Sequence, residues 1–254
     1  MIKRKFFLFL FSFLFLSFVA RSQKSISDSS IFIPSLGINY SYHLASGDIG
    51  KTYGNNHAVG ADATFKLKNQ FILGVGFEYY FSEDVKNEES YFSNIKTEKG
   101  FVIDGNGQYA EIFLYQRGFN IQLFTGYQFD FWSANPNSGP FVQAGVGFMQ
   151  YRTQIKNTEN TAPQVQGEYV KMYDRLSNGL SLTQFIGYRH MGNRNLWNFY
   201  IGVELTQGWT KNRRTYNADL QNGESLDHFD FLTAIKLGWI IPFYKKAPQQ
   251  YYYY

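Results

Sequence analysis

The sequence predicts an all-β protein, an eight-stranded antiparallel transmembrane β-barrel with short periplasmic turns and long extracellular loops. Between Leu36 and Trp239, eight runs alternate apolar residues with polar residues or glycine, and the apolar side of these runs carries no charge. The runs are about 10–13 residues long, close to the 9–11 that a tilted strand needs to cross a bilayer. Short and long connections alternate along the chain, which is typical of hairpins that leave a membrane barrel at opposite ends.

The first four predicted strands cover about residues 35–44, 57–67, 70–81 and 119–131. In the third run, every second residue from Phe71 to Phe81 is apolar, and a two-residue turn at Lys68-Asn69 precedes it. The fourth run allows an earlier start near Ala110, which requires a β-bulge at Arg117-Gly118 to shift the phase of the alternation. Each run has the period of two that places successive side chains on opposite faces of a sheet.

The last four predicted strands cover about residues 141–151, 180–190, 197–209 and 228–241. The seventh run has the clearest alternation, from Trp197 to Trp209. In the fifth run Phe141 and Met149 fall on the polar side, and in the sixth Gln184 is a polar residue on the apolar side. The even number of runs is the number that a single-chain outer-membrane barrel requires.

The connections and the strand ends favour a barrel in lipid. The predicted short connections are 68–69, 132–140 and 191–196, and the long ones are 45–56, 82–118, 152–179 and 211–227. Backbone polar groups in hydrocarbon must all be paired, so the sheet has to close on itself. Aromatic residues at the ends of the apolar faces predict two girdles at headgroup level: Phe65, Phe71, Phe129, Tyr188, Trp197 and Trp239 at the periplasmic rim, and Tyr42, Tyr79, Phe81, Phe119, Trp209 and Phe229 at the outer rim. A soluble ligand-binding barrel such as a lipocalin would need the opposite faces, apolar inside and charged outside.

The N-terminus has the three parts of a secretory signal peptide over residues 1–22. Lys3, Arg4 and Lys5 precede an apolar stretch of about 14 residues, shorter than the roughly 20 of a membrane-spanning helix. The formal net charge of +4 comes entirely from these residues and Arg21. The mature chain is therefore nearly neutral, and we expect no nucleic-acid partner. No cysteine follows the cleavage site, which excludes a lipoprotein anchor.

After cleavage the chain is predicted to contain one domain. We assign residues 23–34 to an N-terminal periplasmic lead-in, 35–243 to the barrel and 244–254 to a periplasmic C-terminal tail. The mature length of about 230 residues fits a single domain.

A local motif near the C-terminus indicates more specifically which class of β-barrel the chain resembles. Lys236-x-Gly238-x-x-Ile241-x-Phe243 has the order polar, glycine, apolar, aromatic at fixed spacing. Over about residues 31–243 the chain resembles the small eight-stranded outer-membrane barrels of the OmpA, OmpX and OmpW kind. This resemblance implies that Lys236, Gly238, Ile241 and Phe243 are the β-signal that the outer-membrane assembly machinery reads on a last strand. In that family the signal usually ends the chain, whereas here residues 244–254 follow it.

The polar faces predict the contents of the barrel. The charged residues on them are His43, Asp62, Lys66, Glu78, Asp130, Arg189, Glu204, Asp230 and Lys236. An eight-stranded barrel has room only for its own side chains or one small ligand, and buried charges must be paired to be tolerated. We therefore expect a polar network of paired charges to fill the lumen, with a narrow channel as the alternative.

Two patterns resemble sites but lack their context. Ala45-x4-Gly50-Lys51-Thr52 matches a loose phosphate-loop pattern, yet turn residues follow it where that chemistry needs a helix. Because there is no cysteine and the four histidines are scattered, no metal site or cofactor is predicted.

An enzymatic alternative comes from the segment Gly187–Asn193. It is similar to the His-x-Ser stretch of lipid A deacylases, which are also eight-stranded barrels. Nucleophilic catalysis requires a hydroxyl beside the imidazole base, and Gly192 stands where the serine would follow His190. This departure weighs against a lipid-modifying activity.

The C-terminal tail ends in four tyrosines, Tyr251, Tyr252, Tyr253 and Tyr254. Tyrosine is a favoured interface residue, so one hypothesis is that the tail docks on a periplasmic protein or a neighbouring barrel. The alternative is an unordered terminus.

The sequence favours a non-enzymatic scaffold or interaction protein of the outer membrane. A more specific hypothesis is an accessory subunit of an outer-membrane assembly or secretion complex. The expected partners are outer-membrane lipid and lipopolysaccharide, the outer-membrane assembly machinery, and other outer-membrane or periplasmic proteins.

Overall fold

Eight strands form one closed antiparallel barrel in which β8 pairs with β1. The computed structural model describes residues 29–159, 161–192, 197–214, 216–218 and 227–243. The strands are β1 (Ile33–Gly47), β2 (Asn56–Lys66), β3 (Phe71–Ser82), β4 (Ile112–Gln128), β5 (Gly139–Asn157), β6 (Ser177–Met191), β7 (Asn198–Asn212) and β8 (Asp227–Pro242). The predicted signal peptide and the tail 244–254, with its four tyrosines, lie outside the described residues.

Among the described residues, four short helical segments lie between the strands. They are the α-helices α1 (Ile49–Thr52) and α2 (Glu88–Tyr91) and two 3-10 helices at Pro163–Val165 and Gly167–Met172. In the part of the chain that the structure describes, no helix has the length and apolar character to cross a membrane.

The connections segregate to two ends of the barrel. Residues 67–70, 129–138 and 192–197 make the short-turn end, where β1 starts and β8 finishes. The described residues of the connections 48–55, 83–111, 158–176 and 213–226 lie at the long-loop end. The predicted alternation of short and long connections is therefore confirmed.

The closing pair is as regular as the others. β1 and β8 pair without interruption from Ser35 opposite Pro242 to Gly47 opposite Asp230. Every strand thus has two hydrogen-bonded neighbours, and the sheet has no edge. A sheet without an edge is the only arrangement of strands that leaves no backbone polar group unpaired in hydrocarbon.

The predicted orientation of the faces is also confirmed. Polar and glycine positions point inward, and the apolar positions form a continuous outer belt. Exposed side chains of this belt include Leu36, Ile38, Leu44, Val59, Leu73, Phe77, Ile121, Leu123, Val146, Leu180, Ile186, Ile201, Val203, Ile235 and Leu237. Tyr42, Phe65, Phe71, Tyr79, Trp197, Trp209, Phe229 and Trp239 are exposed at its two margins. A continuous apolar surface of this kind is stable only against hydrocarbon or another apolar surface.

The early start of β4 is observed, but the predicted bulge is not. Pairing with β5 runs in step from Ile112 opposite Asn157 to Gln128 opposite Phe141, with no extra residue at Arg117-Gly118. The change of phase in the sequence has another cause. Near the long-loop end, Leu114 points inward and is buried among loop residues while Phe113 faces outward, so both faces of β4 carry apolar residues there.

The strands are longer at the long-loop end than the sequence predicts. β4 begins at Ile112 rather than near 119, and β5 continues to Asn157 rather than 151. With 17 and 19 residues, these strands exceed the 9–11 that span a bilayer. The additional residues extend the barrel wall beyond the apolar belt and support the long loops.

The interior is partly apolar, which corrects the expectation of a wholly polar filling. At the short-turn end Ile33, Ile72, Phe141, Phe185, Met191, Tyr200 and Ile240 form one buried cluster. Phe141 and Met149, which break the alternation in the sequence, point inward and are fully buried. Met149 belongs to a second cluster at the long-loop end. The charged residues in the middle of the lumen therefore lie between two apolar layers.

A substitution in the outer belt distinguishes lipid from water as its surroundings. Leu123 lies on β4 midway between Phe119 and Tyr127 and is 66% exposed. In water, arginine at such an exposed position has little effect on stability. In a bilayer we expect Leu123→Arg to lower the free energy of unfolding by about 2–4 kcal/mol, measured by urea unfolding in lipid vesicles.

Ala134→Arg, in the exposed connection between β4 and β5, is the matched control and should unfold as the wild type does. Equal stability of Leu123→Arg and Ala134→Arg in vesicles would show that the belt does not contact hydrocarbon.

Candidate functional site

A buried ion-pair cluster occupies the middle of the lumen. The Lys236 ammonium contacts Glu78 Oε1 at 2.7 Å and Glu204 Oε2 at 2.5 Å. These side chains come from β8, β3 and β7, and all three are almost completely buried. Ser41 Oγ donates a further hydrogen bond to Glu78 Oε1 at 3.2 Å. One ammonium thus pairs with two carboxyl groups at once.

Glycines on the strands beside Lys236 make room for the Phe185 ring. The register partner of Lys236 on β7 is Gly202, which pairs in turn with Gly187 on β6. A Cβ at Gly202 would lie 2.5 Å from the Phe185 ring. Gly187 and Gly202 therefore leave lumen volume that the ring of Phe185 occupies.

His43 completes this layer; alternation predicted that it faces the lumen, but not that it lies at the height of Glu78 and Glu204. The imidazole of His43 and the carboxylates of Glu78 and Glu204 each offer an atom within 4.8 Å of the others. His43 is fully buried, and neither of its ring nitrogens forms a hydrogen bond. The three residues are 35 and 126 positions apart in sequence, so only the barrel closure brings them together.

Below the cluster, Asp62 and Arg189 face each other in the lumen. Asp62 Oδ1 accepts hydrogen bonds from Asn39 Nδ2 at 3.1 Å and from the Tyr200 hydroxyl at 2.8 Å. The Arg189 guanidinium lies over the Phe141 ring, 5.0 Å from its centroid. This pairing of a cation with a ring joins the charged layer to the apolar cluster of the short-turn end.

Lys66 closes the lumen at the short-turn end. Its ammonium donates to Asn137 Oδ1 at 3.1 Å and to Ser30 Oγ at 3.0 Å. The backbone N–H of Ile31 also donates to Asn137 Oδ1, at 3.0 Å. The N-terminal segment and the turn between β4 and β5 are thus tied together across the opening of the barrel.

The other two predicted lumen acids have different positions. Asp230 is buried at the long-loop end, where Oδ1 accepts from the Ile49 N–H at 2.8 Å and Oδ2 from Thr210 Oγ1 at 2.6 Å. The placement of Asp130 in the lumen is wrong. β4 ends at Gln128, and Asp130 lies exposed in the following turn. The alternation of the sequence continues past the point where pairing stops.

The lumen contains very little free space. Among the described residues, the cavity in its middle has a volume of about 30 Å³ and is lined by residues that include Asp62, Glu78, Arg189 and Glu204. That volume corresponds to about one water molecule. The arrangement is a filled barrel with a small internal cavity.

The long loops pack into a cap over the lumen. Tyr53 and Tyr91, from different loops, both hydrogen-bond Thr153 Oγ1 on β5, at 2.8 and 2.9 Å. The Arg175 guanidinium lies 3.9 Å from the centroid of the Tyr91 ring. Apolar residues of the loops join strand residues in one buried cluster: Ile49, Tyr53, Val85, Tyr91, Phe92, Val102, Ala162, Val165, Tyr173 and Ala218. The loops therefore share a hydrophobic core with the barrel.

Ion pairs and backbone bonds fix the loops to one another. Arg214 makes two hydrogen bonds to the Asp174 carboxylate, which raises the pKa of Arg214. Lys51 Nζ contacts Asp48 Oδ1 at 2.7 Å, and this bond lowers the pKa of Asp48. The other Asp48 oxygen accepts from the Phe229 N–H at 2.7 Å. The loop after β1 is thereby attached to β8.

The two sequence patterns that resembled sites fall in unrelated surroundings. Gly50, Lys51 and Thr52 lie in the four-residue helix α1. His190 lies near the short-turn end of β6, and its ring is 5.2 Å from that of Phe199. The residues that follow Gly192, through position 196, are outside the described part of the chain.

Gly238, from the predicted β-signal, has a structural role in addition. A Cβ at this position would lie 2.2 Å from the Tyr200 ring, so only glycine lets that ring lie against β8. Ile241 and Phe243 are exposed on the outer surface. Recognition of these residues by an assembly machinery stays a prediction.

Comparisons with known proteins give likeness of architecture only. No family model matches the chain, and no curated protein matches it. Among solved structures, the attachment invasion locus protein Ail of Yersinia pestis aligns with a TM-score of 0.46 and 8% identity, over 83% of this chain and 99% of Ail. Its complex with the heparin analogue sucrose octasulfate gives 0.44 and 10%, over the same shares.

A third solved structure has the same architecture. The N-terminal β-barrel domain of Pseudomonas aeruginosa OprF aligns with a TM-score of 0.39 and 11% identity, over 82% of this chain and 98% of that domain. These values are too low to support any inference about function. The assignment of the fold rests on the strand pairing of the chain itself.

Removal of the central cation should destabilise the barrel. Lys236→Met leaves Glu78 and Glu204 buried without their partner, and loss of one member of a buried ion pair costs about 3–5 kcal/mol. We expect a corresponding decrease in the free energy of unfolding, measured with urea in detergent micelles or vesicles.

The triple variant Lys236→Met, Glu78→Gln, Glu204→Gln removes the uncompensated charges and should recover part of that loss. If Lys236→Met unfolds at the wild-type urea concentration, the cluster does not stabilise the fold.

Proposed function

We propose that this chain is an integral β-barrel of the bacterial outer membrane, exported by its signal peptide, and that it acts as a non-enzymatic scaffold or interaction protein. The observation that carries the proposal is the cap at the long-loop end. Loops that share a core with the barrel can present a fixed surface to the outside. The apolar belt and the paired β1–β8 edge support the membrane location.

The cap presents aromatic side chains that the fold itself does not use. Phe101 and Tyr109 stack on each other with centroids 4.6 Å apart and remain 48% and 56% exposed. Tyr169 and Tyr216 are also exposed on the loops. Exposed aromatic pairs on a rigid support are typical of residues that dominate binding energy in protein interfaces. We therefore assign the binding surface to the region around Phe101 and Tyr109.

Two amide side chains in the belt support the more specific proposal of a subunit in an assembly or secretion complex. Gln184 on β6 and Gln207 on β7 face outward on adjacent strands, where Leu182 pairs with Gln207 and Gln184 with Leu205. Neither amide hydrogen-bonds another described residue. An unpaired amide in hydrocarbon costs several kcal/mol, and a protein neighbour in the membrane would supply partners. Docking by Tyr251–Tyr254 is a further part of this proposal.

Lipopolysaccharide is the proposed lipid partner. At the outer margin of the belt, a groove is lined by Leu180 and Trp209 below and by Lys211, Arg213 and His228 above. Apolar residues under basic ones suit a lipid with acyl chains and phosphate groups. Arg213 already bonds Asn178, and Lys211 contacts Asp227 at 3.3 Å. The lipid phosphates would therefore share these two basic side chains with their present partners.

The enzymatic and channel alternatives have less support. A deacylase would need a hydroxyl nucleophile at Gly192, and the segment lies at the short-turn end rather than beside the outer leaflet. A channel would need a path through two buried apolar clusters and a central layer whose free volume is about one water molecule.

Purification in a mild detergent, followed by quantitative identification of the proteins that travel with the chain, tests the proposal. The double variant Phe101→Ala, Tyr109→Ala should lower the yield of a loop-bound partner by about tenfold or more, which corresponds to about 1.4 kcal/mol of binding. The double variant Gln184→Leu, Gln207→Leu should likewise lower the yield of a partner within the membrane.

Trp132→Ala is the matched control, because Trp132 is 85% exposed at the opposite end of the barrel. It should retain the partners. If wild type, both double variants and the control carry the same proteins in the same amounts, neither the loop surface nor the belt amides bind a partner.

A further inference from the structure

We propose that His43, Glu78 and Glu204 form a buried binding site for one divalent transition metal ion of the Zn²⁺ class. This site is independent of the proposed scaffold function. The ligand atoms of the three residues all lie within 4.8 Å of one another, and all three residues are buried. An imidazole with two carboxylates is a donor set that Zn²⁺ and its neighbours bind in proteins.

The register of the strands explains why these groups converge. His43 on β1 and Glu204 on β7 both pair with Ala234 on β8, which lies between them. The methyl side chain of Ala234 leaves the space between the imidazole and the carboxylate open. Glu78 approaches from the opposite side of the narrow lumen, where Lys236 holds it close to Glu204.

The unpaired atoms of the cluster point to a missing ligand. Both nitrogens of the fully buried His43, Oε2 of Glu78 and Oε1 of Glu204 form no hydrogen bond. Buried polar atoms are almost always paired. With both carboxyls ionised and one ring nitrogen protonated, three of these four atoms can only accept, so a donor or a cation would satisfy them.

Lys236 leaves the carboxylates available for a second cation. Its ammonium bonds Glu78 Oε1 and Glu204 Oε2, so each carboxylate has its other oxygen free. Because the two carboxyl groups share a single lysine, the cluster can accept additional positive charge when both are ionised. A divalent ion at the free oxygens would share the two carboxylates with Lys236 as bridging anions.

The surroundings offer a group that would orient the imidazole. Asn56 is the register partner of His43 on β2, and both atoms of its amide are unpaired. A histidine that binds metal through one nitrogen usually donates its other N–H to a carbonyl or carboxylate. The Asn56 oxygen can accept that bond.

The geometry requires only a small contraction. With Zn–N and Zn–O bonds of about 2.0–2.2 Å, tetrahedral ligand atoms are about 3.4 Å apart. The three ligand atoms, which lie within 4.8 Å of one another, would have to approach to that separation by side-chain rotation. The fourth position would hold a water molecule, for which the adjacent cavity has room.

The test uses the whole processed chain, refolded into detergent micelles with a chelator and then again in the presence of Zn²⁺. After removal of free metal, we expect about one Zn²⁺ per chain by elemental analysis and a higher unfolding temperature, because a ligand that binds only the folded state stabilises it. Mg²⁺ at the same concentration should not be retained. Co²⁺ in place of Zn²⁺ should give the visible absorption bands of a four-coordinate site.

Two variants separate a lumen site from loosely bound metal. His43→Gln should lower the bound Zn²⁺ at least tenfold, while His190→Gln, on the outer face near the short-turn end, should bind as the wild type does. Heat-dependent migration in gels reports whether each variant has folded. If His43→Gln does not fold, the Co²⁺ bands and the Zn²⁺ content of the wild type still decide the question.

Less than about one tenth of a Zn²⁺ per wild-type chain, or equal binding by folded His43→Gln and wild type, would overturn the proposal. In that event water molecules satisfy the unpaired atoms.

Discussion

Pairing of β1 with β8 is the constraint on which the rest of the structure depends. In the proposed membrane location, the backbone of all eight strands lies against hydrocarbon, where an unpaired N–H or C=O group costs several kcal/mol. An uninterrupted ladder from Ser35–Pro242 to Gly47–Asp230 removes the last such edge. Closure also fixes the lumen, because it brings β1, β3, β7 and β8 around one axis. The ion-pair cluster and the cap both follow from it.

Inside the barrel, a charged layer lies between two apolar clusters, and this order has a physical reason. A polar layer in a narrow lumen is tolerated only when its charges are paired and water is limited. The apolar clusters at the two ends separate Glu78, Glu204 and Lys236 from bulk solvent. The barrel therefore has two hydrophobic cores, one above and one below a small charged layer. The same packing fixes the long loops, since Tyr53, Tyr91 and Tyr173 belong to the upper cluster.

The sequence was sufficient for the strands and their faces but not for the interior. Period-two alternation predicts each strand because lipid tolerates only apolar residues on the outer face. It fails beyond the apolar belt: Leu114 on β4 is apolar and points inward, because there the loops form a core. Phe141 and Met149 also break the alternation, because they point inward into the buried apolar clusters. Asp130 has the right phase for the lumen but lies beyond the last paired residue.

Convergence of distant residues was not predictable from their spacing. His43, Glu78 and Glu204 are on three strands, and their approach depends on register and on the small residues Ala234, Gly202 and Gly187 between larger ones. Alternation gives the face of each residue but not its height in the barrel. Only the pairing of the strands supplies the height, and with it the partner of each charge.

The central claim is that the belt of this barrel contacts lipid acyl chains. Fluorescence quenching by lipids brominated in their acyl chains tests it most directly, with single-tryptophan variants in vesicles. Tryptophan introduced by Leu123→Trp in the middle of the belt should be strongly quenched, and native Trp132 in the exposed short turn only weakly. Equal and weak quenching at both positions, or a processed chain that remains monomeric in buffer without detergent, would contradict the account.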